Sequence, residues 1–256
     1  MIYTLESACC SNTGKVRSNN QDNFYFSGFH MEPDNNGMPQ AVSFRRILKS
    51  GTSFAVFDGM GGGDFGELAS YEAAKYMKSV FDNFGKPTFV NDFLVTLCLN
   101  MNQAVFNKEI EMNNFRMGST VAGLYFQKGY AYVFNLGDSR VFCLRNREFM
   151  QLSCDHTDEK YLNQKGITNR KPRLTQHLGI DPDEMRLEPS VTKVRLKRGD
   201  KYLICSDGLT DMVTNFDIAD ILLTCGNVKN CTDKLIKTAL INGGRDNVTV
   251  ILCEIH

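Results

Sequence analysis

The sequence lacks an excess of charge of either sign. Its 29 lysines and arginines balance its 29 aspartates and glutamates, so the formal net charge at pH 7 is zero. Proteins that bind nucleic acid or anionic membranes usually carry a basic surface. The balance therefore favours neither partner, nor a metal-dependent nuclease or phosphodiesterase with a basic groove. Any attraction for an anionic substrate has to come from a local site.

Long apolar runs are also missing. No stretch approaches the roughly 20 apolar residues of a membrane-spanning helix. The first ten residues, MIYTLESACC, contain neither a basic region nor an apolar signal core. These features predict a cytoplasmic protein without a membrane partner.

Cysteine patterns typical of metal sites are absent too. None of the nine cysteines lies in a CxxC pattern, and their odd number argues against a complete disulfide framework. Cys143, Cys205 and Cys253 fall in predicted strands, where a free thiol packs as a small apolar side chain. We therefore expect the cysteines to be structural free thiols.

The hydrophobic pattern predicts strands and helices in separate groups. Strands are predicted at residues 2–8, 23–27, 53–57, 120–126, 131–136, 141–145, 191–196, 201–205 and 248–254, and helices at residues 66–84, 89–113, 215–225 and 229–242. Segregated helices with runs of hairpin-linked strands are typical of a mainly antiparallel α+β fold. No stretch resembles a linker and no internal repeat occurs, so we expect one domain over residues 1–256.

Two polar segments have alternative interpretations. Residues 155–173, DHTDEKYLNQKGITNRKPR, have little apolar periodicity and form either a mobile surface flap or only a long loop. Residues 193–201, KVRLKRGDK, form either a basic docking patch or a strand followed by a solvated turn.

Four aspartates lie where an apolar run ends or begins near glycine. They are Asp58 in FAVFDGMGG, Asp138 in VFNLGDSR, Asp207 in YLICSDGL and Asp246 in GGRDNVTV. A single Asp-Gly pair is usually an ordinary turn, but a buried strand aims the residue at its end reproducibly. Carboxylates that converge repel each other unless cations lie between them. The recurrence therefore predicts a metal site.

Eight motifs follow one another along the chain. They are GKVRSNNQDNF (14–24), FAVFDGMGGGDFGELAS (54–70), MGSTV (117–121), NLGDSRVF (135–142), LSCDHT (152–157), LTQHLG (174–179), GDKYLICSDGL (199–209) and GGRDNVTVI (243–251). In this order they resemble the type 2C metal-dependent serine/threonine protein phosphatases, and DGMGG resembles the bacterial branch. The resemblance covers nearly the whole chain.

The resemblance implies both a fold and an activity. The implied fold is a four-layer α-β-β-α sandwich, with two central antiparallel sheets flanked by helix pairs and a metal site in a cleft at one end. The implied activity is hydrolysis of phosphoserine and phosphothreonine on proteins by a water that bridges two metal ions, without a covalent intermediate. The implied partners are phosphorylated proteins, including a Ser/Thr kinase and its targets in bacterial signal transduction. We expect the enzyme to act as a monomer.

The resemblance also assigns metal ligands residue by residue. Asp58 matches the carboxylate that bridges two metals, and the backbone carbonyl of Gly59 matches a ligand of the second metal. Asp207 and Asp246 match the remaining carboxylates on the first metal. Asp138, with Asp207, resembles the pair that binds a third metal. The alternative role for Asp138 is that of a hydrogen-bond acceptor in a tight turn.

Two further residues are assigned to the chemistry. Arg17 matches the phosphate-binding arginine, whose planar fork can hold two phosphoryl oxygens. Asp22 matches an acid that supports the metal-bound waters. Ligation by oxygen alone favours Mg²⁺ or Mn²⁺ over zinc. The expected cofactors are therefore two core Mn²⁺ or Mg²⁺ ions and a third at Asp138.

The chain departs from the family pattern beside this site. Gln21 stands where many members have Glu, which removes one negative charge and predicts weaker binding of the second metal. Met60 and Gly63 stand where some members have histidine, so the acid that protonates the leaving group is not assigned. The loss of charge at Gln21 points to an alternative function, a catalytically weak or inactive relative that acts as a regulatory phosphoprotein-binding module. The retained aspartates favour the active enzyme.

Overall fold

The computed structural model describes residues 2–61, 65–83, 86–113 and 115–256. The strands of these residues are β1 (Thr4–Asn12), β2 (Asp22–Phe26), β3 (Val42–Ile47), β4 (Thr52–Gly61), β5 (Met117–Ser119), β6 (Val121–Gln127), β7 (Tyr130–Leu136), β8 (Arg140–Arg145), β9 (Glu148–Gln151), β10 (Ser190–Arg195), β11 (Lys201–Cys205) and β12 (Val248–Ile255). The helices are α1 (Gly66–Asn83), α2 (Val90–Glu111), α3 (Glu159–Lys165), α4 (Asp207–Thr210), α5 (Asn215–Thr224) and α6 (Val228–Ile241). None of these helices has the length and apolar character needed to span a membrane.

The strands of the described residues form two antiparallel sheets. The first has the order β3-β1-β12-β11-β8-β9, and the second has the order β10-β7-β6-β4-β2, with β5 paired to the end of β4. The first strand and the last are neighbours, in register from Leu5 opposite Ile255 to Asn12 opposite Val248. Because the two ends of the chain share one sheet, residues 14–22 and 246–248 are brought to the same edge.

The sheets stack face to face, and helices cover their outer faces. Strand β4 shows why, since it is buried on both sides: Phe54 and Val56 belong to the core between the sheets. Ala55 and Phe57 alternate with them and pack against α1 and α2. A third core lies between the first sheet and the pair α5 and α6. The predicted four-layer α-β-β-α sandwich is confirmed.

Most predicted elements agree with the structure to within a few residues. The long helices begin and end near their predicted bounds, although Phe84, the predicted end of α1, lies outside the described residues. Strands β3, β5 and β9 were not predicted. Strands β5 and β9 are short, with 3 and 4 residues. Strand β3 is an edge strand whose Val42 and Ile47 are exposed, so it lacks the apolar alternation of a half-buried strand. Helix α3 was also missed, because only Leu162 of its residues is buried.

One prediction about the cysteines was wrong. A disulfide joins Cys225, just after α5, to Cys231 in α6. The remaining seven cysteines are free, and all of these except Cys154 are buried. The disulfide was missed because the odd count and the strand positions bear on the cysteines as a group and not on one pair six residues apart.

Candidate metal centre

A cavity of about 210 Å³ opens at the edge of the sandwich where β4 and β12 meet the turn after β7. Its lining residues are Arg17, Gln21, Asp58, Gly59, Met60, Thr120, Asp138, Leu174, Asp207 and Asp246. Six of the seven residues predicted for the site are in this lining, and Asp22 is the exception. The structure therefore places the predicted residues together, while their chemical roles stay predictions.

The backbone around Asp58 is held by the next strand along the sheet. The backbone N–H of Asp58 donates to Thr120 Oγ1 at 3.1 Å, and the N–H of Thr120 donates to the Asp58 carbonyl at 2.8 Å. Thr120 Oγ1 also shares a hydrogen bond of 2.7 Å with Ser139 Oγ. Since Ser139 follows Asp138, Thr120 links the turn that carries Asp138 to the strand that carries Asp58.

Asp22 lies behind the cavity and is almost completely buried, with 1% of its surface exposed. It faces Asp58 across the β2–β4 ladder. Its carboxylate accepts a hydrogen bond of 2.7 Å from Ser206 Oγ, which in turn accepts one of 3.0 Å from the N–H of Thr249. Ser206, which directly precedes Asp207, therefore ties Asp22 to the start of α4 and to β12.

The other two carboxylates at the cavity are paired with cations. Asp246 accepts a hydrogen bond of 2.8 Å from Arg17 Nη2. Asp207 begins α4, and one of its carboxylate oxygens lies 2.6 Å from Lys171 Nζ. Lys171 belongs to the polar segment 155–173, so this segment reaches the candidate metal centre.

Two glycines let the backbone pack closely here. A Cβ on Gly59 would lie 2.0 Å from the Gly66 carbonyl oxygen, at the start of α1. Gly137 has a φ of 106°, in the left-handed region, and its Cβ would lie 2.7 Å from Thr120 Cγ2. A side chain at either position would push apart the elements that present Asp58 and Asp138.

Burial and mutual repulsion raise the pKa values of three carboxyl groups. Burial, reinforced by Asp22, Asp207, Asp138 and Asp246, holds the pKa of Asp58 well above its ordinary value. Burial raises the pKa of Asp22 to about 7 against the hydrogen bond from Ser206, and raises the pKa of Asp138 to about 6. Among the described residues, none of these three acids forms an ion pair.

Such a set of donors fits a hard divalent cation, because clustered and at least partly buried carboxylates need positive charge between them and every donor is oxygen. The carboxylates nevertheless do not converge on one point. In the described part of the chain, no three Asp, Glu, His or Cys side chains form a group that could hold a metal ion. Asp207 and Asp246 are turned toward Lys171 and Arg17 instead, although both line the cavity that Asp58 and Asp138 also line.

Asn247 was missed by the sequence reasoning. Its side chain accepts a hydrogen bond of 2.8 Å from the N–H of Gln21 and donates to the carbonyls of Thr13 and Asn19 at 2.8 and 2.9 Å. It therefore fastens the loop that carries Arg17 to the start of β12. A polar residue directly after Asp246, at the first position of a buried strand, was the available signal.

Glu67 is a second missed residue. It lies in the first turn of α1, and Gln21 Nε2 donates to its carboxylate at 3.1 Å. A carboxylate thus stands next to the position where the family's Glu is replaced by Gln21. Met60 lines the cavity, whereas Gly63 lies outside the described residues.

The contacts of His156 indicate a structural role. The N–H of Gly137 donates to its Nδ1 at 3.2 Å, and its Nε2 lies 3.2 Å from the Glu188 carbonyl oxygen. Both ring nitrogens are thus engaged with backbone around the turn that carries Asp138.

Comparisons with known proteins match protein phosphatases over most of the chain. A family model described as protein phosphatase 2C matches residues 35–237. The serine/threonine phosphatase Stp of Listeria welshimeri is 29% identical over 94% of this chain and 92% of its own length. The serine/threonine protein phosphatase PstP of Mycobacterium tuberculosis is 28% identical over 100% of this chain. The chain spans only 46% of that relative's length.

Solved structures agree with the fold described above. The crystal structure of the Mycobacterium tuberculosis phosphatase PstP/Ppp superposes with a TM-score of 0.79 and 27% identity, over 98% of both chains. A structure of the PstP catalytic domain in complex with two manganese ions superposes with a TM-score of 0.78 and 26% identity, over 99% of both chains.

Proposed function

The chain belongs to the protein phosphatase 2C family, and on that basis we propose that it is a metal-dependent phosphatase acting on phosphoserine and phosphothreonine in proteins. One observation carries the proposal. Asp58, Asp138, Asp207 and Asp246, which are far apart in sequence, line one cavity together with Arg17. Acids for a divalent cation and an arginine for an anion are what phosphomonoester hydrolysis requires.

Two Mn²⁺ or Mg²⁺ ions would be held by Asp58, Asp207 and Asp246 together with the backbone carbonyl of Gly59. A third ion would be held by Asp138 and Asp207. When bound, such ions activate a water molecule at neutral pH and screen the charge of the incoming phosphate. The manganese ions found with the PstP catalytic domain support this assignment.

The protein's own side chains orient the substrate and the donors. Arg17 is about half exposed, with 52% of its side-chain surface accessible, and its guanidinium reaches the cavity while bonded to Asp246. A planar guanidinium there can bind two phosphoryl oxygens. Asp22, behind Asp58, would support waters at a bound metal, and Thr120 holds the Asp58 backbone. Attack by water leaves no need for a covalent intermediate.

The biological setting follows from the same assignment. We place the chain as a single catalytic domain of residues 1–256 that acts as a monomer in the cytoplasm. Its substrates are phosphorylated proteins of a signalling system, including a Ser/Thr kinase and the targets of that kinase. Named phosphatases from Listeria and Mycobacterium support a role of this kind.

The test measures phosphate release from a phosphothreonine peptide by the purified chain with added Mn²⁺. We expect turnover that EDTA abolishes and that Asp207→Asn lowers by about a hundredfold or more, because a ligand acid is lost. Asp220→Asn, an exposed acid on α5, is the matched control and should retain full activity.

Two outcomes would contradict the proposal. Turnover that survives EDTA would exclude a metal-dependent reaction. A chain that binds the phosphopeptide but releases no phosphate at saturating Mn²⁺ would instead be the regulatory binding module that Gln21 suggests.

A further inference from the structure

A second and larger cavity, of about 470 Å³, lies at the other ends of the same strands. Thr120, just before β6, borders the metal centre, whereas Phe126 and Gln127 at the end of β6 border this cavity. Seven residues of extended strand separate the two sites by about 20 Å. The cavity is therefore distinct from the metal centre.

Its walls come from both sheets and are tied together by backbone contacts. The N–H of Gly51 donates to the Phe126 carbonyl at 2.8 Å, and the N–H of Lys128 donates to Ser50 Oγ at 3.3 Å. The N–H of Leu196 donates to the Gly129 carbonyl at 3.0 Å. The turn before β4, the turn after β6 and the end of β10 thus form one connected rim.

Positive charge is concentrated on this rim. Lys49, Lys128 and Arg195 line the cavity, and no Asp or Glu is among the lining residues. None of the three cations forms an ion pair within the described residues. In a chain with no net charge, three uncompensated cations around one cavity are a local feature.

The neighbouring basic segment, residues 193–201, contains the acid Asp200. This acid does not neutralise the cations of the rim. Asp200 is buried and accepts two hydrogen bonds of 2.7 Å from Arg145, one from Nε and one from Nη2. It also accepts bonds from the Tyr202 hydroxyl and the N–H of Lys197. Because its charge is already matched, the cations at the cavity are left for a ligand.

Aromatic side chains complete the lining. Tyr3 and Tyr130 border the cavity. Arg198 lies over the ring of Tyr3, and Lys193 lies over the ring of Tyr130 with its Nζ 4.2 Å from the centroid. Neither cation is itself among the lining residues, so these contacts add positive charge beside the lining tyrosines.

We propose that this cavity is a second binding site, for a phosphate-bearing small molecule of the size of a nucleoside polyphosphate. Lysines and an arginine at the rim supply charge-assisted hydrogen bonds to phosphate oxygens, and the tyrosines supply faces for an aromatic base. The volume lies within the range of about 300 to 1,000 Å³ typical of small-molecule sites. The cavity is open to solvent on one side, so a compact polyanion can enter it.

The test is a titration of the ¹⁵N-labelled, metal-free chain with tripolyphosphate and, separately, with ATP, followed by amide chemical shifts. Metal is left out so that neither probe is bound through a cation. We expect saturable shifts at the backbone amides of Ser50, Lys128 and Gly129 with at least one of the two probes. Shifts with tripolyphosphate and ATP alike assign recognition to phosphate, and stronger binding of ATP adds the aromatic base.

The variant Lys49→Gln/Lys128→Gln should weaken that binding by about tenfold or more, since two charge-assisted contacts are lost. The matched control is Lys234→Gln/Lys237→Gln, which removes the same charge from exposed positions on α6 and should leave the affinity unchanged.

Three results would overturn the proposal. The first is shifts confined to the surroundings of Arg17 and Asp246, which would place all anion binding at the metal centre. The second is equal weakening by both double variants, which would show a general charge effect. The third is shifts at the cavity with a phosphopeptide but with neither small polyphosphate, which would make the cavity a peptide-docking site. Each readout is separate from phosphatase activity, so failure here leaves the proposed function standing.

Discussion

The Nζ of Lys171 lies 2.6 Å from a carboxylate oxygen of Asp207 and 2.6 Å from one of Asp211. Partial burial opposes the charge on the lysine, but the attraction of the two carboxylates outweighs it and raises the pKa of Lys171. The ammonium group therefore stays charged and contacts one carboxylate oxygen of Asp207, a predicted metal ligand. The polar segment 155–173 thus places its own cation at the candidate metal centre.

We expect Lys171→Gln to bind Mn²⁺ more tightly than the unmodified chain, because no ammonium group has to be displaced from Asp207. Lys171 is about half exposed, so its ion pairs are weak, and the gain in affinity should be about two- to fivefold. Isothermal titration calorimetry with Mn²⁺ measures it directly. Lys165→Gln, at the end of α3 in the same segment, is the control and should not change the affinity. Equal affinities for Lys171→Gln and the unmodified chain would show that the lysine does not compete.

Arg17 offers a second prediction, about substrate binding. Arg17→Ala should raise KM for a phosphothreonine peptide by about tenfold or more, because a charge-assisted contact to the phosphate is lost. Arg17→Lys should recover only part of the loss, since an ammonium group lacks the planar fork. Steady-state kinetics of both variants, beside Lys15→Ala as an exposed control on the same loop, separates these outcomes. An unchanged KM in Arg17→Ala would remove the arginine from phosphate binding.

Stability without metal should depend on pH through Asp22. Its pKa is raised from 3.8 to about 7 by burial, so the folded chain holds this proton more tightly than the unfolded chain does. The linked stability is then complete below about pH 4 and is lost as the pH rises through 7, amounting to a few kcal/mol.

Urea unfolding in EDTA between pH 5 and 8 measures this loss. Asp22→Asn should unfold with a flatter pH dependence, because a neutral amide stays in the buried position and still accepts the hydrogen bond from Ser206. Asp220→Asn should keep the full dependence. If Asp22→Asn were as pH-sensitive as the control variant, the buried carboxyl would not be the titrating group.

A feature of the site could be predicted when its signal lies within a few consecutive residues of the sequence. Asp58, Asp138 and Asp207 were found because each signal is local, an apolar strand followed by an acid beside glycine. The core strands were predictable for the same reason, since they are continuous apolar runs, whereas their arrangement in a four-layer sandwich was expected from the family resemblance. Edge strand β3 was not, because Val42 and Ile47 are exposed and leave no such run.

Contacts between distant segments could not be predicted in this way. Lys171 and Asp207 are 36 residues apart, and Asn247 and Asn19 are 228 apart. Nothing in a lysine within a polar stretch, or in an asparagine at a strand start, identifies its partner. The same holds for the basic cavity, whose cations Lys49, Lys128 and Arg195 come from three separate turns and strand ends.

The last prediction concerns Asn247, because its side chain fastens the loop that contains Arg17. Asn247→Ala removes three hydrogen bonds and leaves the N–H of Gln21 and the carbonyls of Thr13 and Asn19 without this partner. Asn247 is 4% exposed, so water replaces these bonds poorly. We expect a loss of about 2–4 kcal/mol in the free energy of unfolding.

Urea unfolding of the metal-free chain checks this value, since bound metal would mask part of the loss. The matched control is Asn230→Ala, an exposed position in α6 where alanine also favours the helix, and it should change the free energy by less than about 0.5 kcal/mol. The loosened loop should in addition raise KM for the phosphopeptide, because Arg17 is no longer held at the cavity. Equal stability of Asn247→Ala and Asn230→Ala would show that the loop is held by other contacts, such as the bond from the N–H of Lys15 to the Gly244 carbonyl.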